Sequence, residues 1–83
     1  MRRMKLENRD LYLFIINDLN IELPASNAIY SIPLLRYISS IELVHLFLSL
    51  QDKYNIIFNK EDVIDYRFLT IENIVSGLNK KLS

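Results

Sequence analysis

Eighty-three residues with 51% apolar side chains, one Gly, two Pro and no Cys describe one small helical domain. They exclude a disordered chain, a disulfide framework and a thiolate metal site. Ten basic and ten acidic residues cancel, so no net field draws the chain to nucleic acid or to an anionic membrane. A single histidine, His45, is too few for an imidazole metal cluster.

Met1-Arg2-Arg3-Met4-Lys5 followed by apolar residues from Leu11 to Ile16 has the outline of a leader. Glu7, Arg9 and Asp10 interrupt it, the apolar run is short, and no small-residue cleavage site follows. No stretch is long enough to cross a bilayer. The expectation is a cytoplasmic protein forming one domain over residues 1–83, with residues 1–7 a flexible, basic tail.

Leu11, Phe14, Ile15 and Leu19 recur at helical spacing, with Tyr12, Leu13 and Ile16 widening the stripe, and predict a first helix from about Asn8 to Leu19. Asn20 can take the left-handed conformation that ends a helix where Gly is absent. From Glu22 to Ile38 the pattern breaks at Pro24, Ser26, Asn27 and Pro33, although Ile29, Tyr30, Ile32, Leu34, Leu35 and Tyr37 are apolar. A connection of this length with that many apolar side chains is expected to pack across the helices, with a short helical turn inside it.

Ser39-Ser40-Ile41-Glu42 ahead of a dense apolar run is a capping box. Ser39 is the N-cap and Glu42 reaches back to it, which places Ser40 in the first turn near the positive end of the helix dipole. The second helix is predicted from Ser40 to about Tyr54, with Asn55 ending it. It is apolar on two sides: Leu43, Leu46, Phe47 and Leu50 form one stripe, and Ile41, Val44 and Leu48 another. One stripe supplies the core and the other meets something else, with Ile29, Ile32 and Leu35 as candidates to cover part of it. His45 reads as a solvated helix residue, since no Ser-His-Asp arrangement accompanies it.

Ile56 to Phe58 are expected to re-enter the core. Asn59-Lys60-Glu61-Asp62 resembles an N-cap with acids in the first turn and predicts a short third helix through about Tyr66. Thr70 then caps a final helix lined by Ile71, Ile74, Val75 and Leu78, with Lys80 and Lys81 in its last turn. The fold class is therefore all-α: a bundle of four helices with a short third helix and a long first connection.

The order of these segments resembles the acyl and peptidyl carrier proteins across residues 8–82. Ser39-Ser40-Ile41-Glu42-Leu43-Val44 is similar to the family's Asp-Ser-Leu motif, which continues Asp-Leu-Val in many members. Leu50-Gln51-Asp52-Lys53-Tyr54-Asn55-Ile56 resembles the end of the family's second helix, Asn59-Lys60-Glu61-Asp62 its acidic third-helix start, and Phe68-Leu69-Thr70-Ile71-Glu72-Asn73-Ile74 its entry into the fourth. Asn17-Asp18-Leu19-Asn20-Ile21 resembles the end of its first helix, with Asn20 where Gly is usual.

The resemblance implies that Ser40 receives 4′-phosphopantetheine from coenzyme A, whose thiol then carries acyl or aminoacyl cargo as a thioester. It implies that Ile41, Val44 and Leu48 dock a phosphopantetheinyl transferase and the enzymes that load or use the cargo. On this reading the chain is a monomeric phosphoprotein and not itself an enzyme, and it binds no metal, nucleic acid or membrane. Ser39 stands where Asp is usual, His45 where Glu is common, and Leu35-Arg36-Tyr37-Ile38 lacks the glycine usually found before the motif. Fatty-acid carriers are strongly acidic and this chain is neutral, which implies a specialised biosynthetic or peptide-modification pathway. The alternatives are an unmodified carrier-like interaction module and a helical dimer that buries the second stripe against itself.

Overall fold

The structure, a computed structural model, describes residues 5–59 and 66–82. The described residues are all-helical and contain no strand. Three α-helices are present among them: α1 (Asn8–Leu13), α2 (Ser40–Tyr54) and α3 (Ile71–Leu82). The short third helix expected from Asn59 to Tyr66 lies mostly outside the described residues, so the expected count of four is not reached within them. Tyr66–Phe68 form a 3₁₀ turn.

Helix α1 opens where the Glu7 N–H donates to Asp10 Oδ2 at 2.8 Å. The expected helix to Leu19 is α-helical only to Leu13 and continues as a π-helical turn over Phe14–Asp18. There the Leu19 N–H reaches back five residues to the Phe14 carbonyl at 3.3 Å. Asn20 ends the segment at φ 56°, and the Ile21 N–H closes over the end onto the Ile15 carbonyl at 3.1 Å. Asn55 ends α2 in the same way, at φ 54°, with the Ile56 N–H on the Gln51 carbonyl at 3.1 Å.

The connection holds two 3₁₀ turns, Asn27–Ser31 and Leu34–Arg36. Ser26 caps the first by accepting from the Ala28 N–H at 3.2 Å. Ile29 and Leu34 are almost wholly buried, so the connection contributes to the core. The first turn packs on α3, and the second packs on both α2 and the Tyr66–Phe68 turn. A hydrogen bond of 2.8 Å from the Leu34 N–H to the Leu69 carbonyl ties the second turn to the residue that follows Tyr66–Phe68.

The core draws Leu11 and Ile15 from the first helical segment, Leu43, Leu46 and Leu50 from α2, and Ile71, Ile74, Val75 and Leu78 from α3. Thr70 begins α3: its hydroxyl accepts from the Asn73 N–H at 3.2 Å and donates to Asn73 Oδ1. Asn79, near the other end of α3, accepts from the Leu6 N–H at 2.8 Å and donates to the Leu6 carbonyl at 3.0 Å. Leu6, which the sequence places in the terminal tail, is thereby tied to the last helix and packs against the core.

Candidate functional site

The site begins at the Ser39 N-cap. Its backbone is extended, at φ −81° and ψ 166°, so its side chain turns back over the first turn of α2. Ser39 Oγ accepts from the Glu42 N–H at 3.1 Å, and Glu42 Oε1 accepts from the Ser39 N–H at 2.8 Å. Both halves of the predicted capping box form, and two backbone donors of the helix start are satisfied.

This leaves Ser40 as the first helical residue, exposed, with its hydroxyl in no hydrogen bond among the described residues. The free N–H groups of the first turn and the helix dipole favour negative charge at that position. A phosphate ester on Ser40 Oγ fits there, since the oxygen is accessible and Ser39, not Ser40, is committed to holding the helix end.

Which stripe of α2 faces the core is now plain. Leu43, Leu46 and Leu50 are at most 3% exposed, whereas Ile41 is 74%, Val44 56% and Leu48 57% exposed. Of the connection's apolar residues Ile29 is buried and Ile32 and Leu35 are half-buried, and the stripe still stays more than half exposed. His45 is exposed on the same side of α2. Three aliphatic side chains within two turns, each more than half exposed and directly after an exposed serine, form an apolar ridge open to solvent.

Beside the ridge runs an open groove of about 470 Å³ lined by Ser40, Leu43, Val44, Phe47, Leu48, Gln51, Phe58 and Tyr66. Phe47, read from the sequence as a core residue, is half-buried and forms one wall. Its ring meets Phe58 edge-on, with centroids 4.8 Å apart and planes at 73°. Gln51 holds the Phe58 segment in place by accepting its N–H at 2.8 Å, and Lys81 Nζ lies 5.8 Å from the Phe58 ring centroid. Of the stretch expected to re-enter the core, Ile56 and Phe58 are half-buried and Ile57 is 74% exposed. Exposure alternates over these three residues, but all three are apolar in sequence, so no sequence signal placed Phe58 beside α2.

On the opposite side, Lys53 Nζ lies 5.2 Å from the Phe14 ring centroid and 5.7 Å from that of Tyr54. Burial pushes the Tyr54 phenol above its ordinary value, and the Asp10 carboxylate nearby adds to the shift. Both effects disfavour the phenolate. This cluster secures the end of α2 to the first helical segment and takes no part in the Ser40 face.

No family model, no curated protein and no solved structure matches the chain. No helix among the described residues is long and apolar enough to cross a membrane.

Proposed function

We propose that the chain is a carrier module of the acyl or peptidyl carrier type, completed by a short third helix to the four-helix bundle and modified on Ser40. The observation that carries this reading is one juxtaposition. An exposed, uncommitted serine opens a fifteen-residue helix, and exposed Ile41, Val44 and Leu48 follow it one, four and eight residues later.

Ser40 Oγ would attack phosphorus in the pyrophosphate of coenzyme A, forming a phosphodiester and releasing the nucleotide half. The serine proton passes to a base of the transferase. The attached arm supplies the thiol that a chain without cysteine lacks. The protein's own residues do the rest: Ser39 and Glu42 hold the helix start rigid, and the aliphatic ridge is recognised by the transferase and by enzymes that load or use the thioester. The reading assigns no catalysis to the chain itself. The cytoplasm, where coenzyme A is made and used, suits it.

The test is intact mass after incubation with coenzyme A and a broad-specificity phosphopantetheinyl transferase. The expected result is a gain of one phosphopantetheine by the native chain and none by Ser40→Ala. No gain with that enzyme, nor with a transferase from the native host, would refute modification. What remained would be the second reading, an unmodified module that uses the same ridge.

A further inference from the structure

The segments that flank the exposed side of α2 differ in charge from its far end. At the Ser40 end, the Leu34–Arg36 turn packs on both α2 and the Tyr66–Phe68 turn, which brings Arg36 and Arg67 to the same end of the bundle. Both are exposed, and among the described residues neither guanidinium is engaged in a hydrogen bond, ion pair or ring contact. Tyr37, Ile41 and Phe68 are exposed on the same segments, at 44%, 74% and 67%. The acid of the first turn, Glu42, is committed to the Ser39 N–H, where its charge offsets the positive end of the helix. At the far end, exposed Asp52 follows Leu48 by one turn, about 16 Å along the helix from Ile41.

We infer that the partner seated on Ile41, Val44 and Leu48 is a protein surface that brings carboxylates to the Ser40 end, against Arg36 and Arg67, and keeps them away from Asp52. The inference rests on the docking ridge of the carrier reading and specifies the chemistry of what docks there. A guanidinium pairs bidentately with a carboxylate in a way a compact ammonium does not. An aliphatic ridge with cations at one end and an acid at the other matches an amphipathic segment with Asp or Glu at one end of its apolar face. A polyanion fits less well, because two cations are few for a row of phosphates and Asp52 repels the rest of it.

The probes are two amphipathic helical peptides that share one Leu/Phe face and differ only in Glu or Lys at the end that meets Arg36 and Arg67. Each is titrated into the isotopically labelled full chain at low salt, and amide shifts are followed. The Glu peptide should bind about fivefold to tenfold more tightly, from two exposed ion pairs. Shifts should centre on Arg36, Ile41, Val44, Leu48 and Arg67, and the preference should shrink as salt is added. Arg36→Glu with Arg67→Glu should reverse it with the melting temperature unchanged, since both side chains are exposed and have no partner among the described residues. Equal affinities, a preference for Lys, or binding of neither peptide would overturn the inference. So would a stronger response at the same arginines to inorganic phosphate or to phosphatidylglycerol vesicles. The mass assay on Ser40 is independent: loading without an acidic preference sinks this inference alone, and an acidic preference without loading sinks modification alone.

Discussion

Replacing Ser39 with Ala removes one oxygen and tests whether the start of α2 is held by the capping box. Ser39 Oγ is the acceptor for the Glu42 N–H at 3.1 Å, while the return bond from the Ser39 N–H to Glu42 Oε1 is made by backbone and survives the change. Both groups are at the surface, so water partly replaces what is lost, and the cost is about 1 kcal/mol. In a domain of this size that lowers the melting temperature by about 4–8 °C. It lowers the urea midpoint by roughly 1 M if the denaturant slope is near 1 kcal/mol/M. Ser39→Asp keeps an acceptor of equal rank at the cap. It adds a charge that the helix dipole favours but the neighbouring Glu42 carboxylate opposes, so stability should stay within about 0.5 kcal/mol of the native chain. Under the carrier reading, Asp also restores the family's usual residue before the serine, and Ser39→Asp should load phosphopantetheine faster than the native chain. Urea denaturation of the three proteins, with loading rates followed by mass, separates the two roles. A Ser39→Ala chain within about 0.3 kcal/mol of the native one would refute the capping account, because the bond at 3.1 Å would then be replaced by water at no net cost.

The two sides of α2 should respond oppositely to substitution. Leu46→Ala, at a position 0% exposed, should cost about 2–5 kcal/mol, whereas Ile41→Ser, 74% exposed, should stay within about 0.5 kcal/mol, both read by chemical denaturation. Tyr54 should ionise above the ordinary phenol value in an alkaline absorbance titration, and Asp10→Asn should bring it down, because the carboxylate contributes to the upward shift. The sign follows from linkage. A folded-state pKa raised above the unfolded one gives stability that is present below the ordinary value of 10.0 and is lost as pH rises through the folded value. The change should therefore appear only in the alkaline limb of a stability profile, and a Tyr54 that ionises at the ordinary value of 10.0 would contradict it.

Much of the candidate site was legible because it is local. The capping box joins residues three apart, and the spacing Ser-x-x-Glu before an apolar run carries all the information needed to place it. Asn20 and Asn55 were readable as helix ends for a similar reason: left-handed backbone favours Asn when Gly is missing, whatever surrounds it. Other features were less legible. Periodicity from Leu11 to Leu19 cannot distinguish a continuous α-helix from one that widens into a π turn, since both keep Leu11 and Ile15 on one side. Tyr66 reads as the end of a short third helix and Phe68 as the entry into the last one, and both are exposed, at 46% and 67%.

The helical class, the cap at Ser39, the exposed position of Ser40 and the two apolar stripes on α2 all follow from contacts within a turn or two of the chain, which is why local spacing specifies them. That the stripe of Ile41, Val44 and Leu48 stays open is a tertiary outcome, because it depends on where Ile29, Ile32 and Leu35 of the connection go, and these are buried or half-buried while the stripe stays exposed. The tertiary structure also decided that Leu6 is clasped by Asn79, that Phe58 stands against Phe47, and that Arg36 and Arg67 share one end of the bundle. Each of these joins residues distant in sequence, where spacing carries no signal and the packing of one element on another chooses the partner.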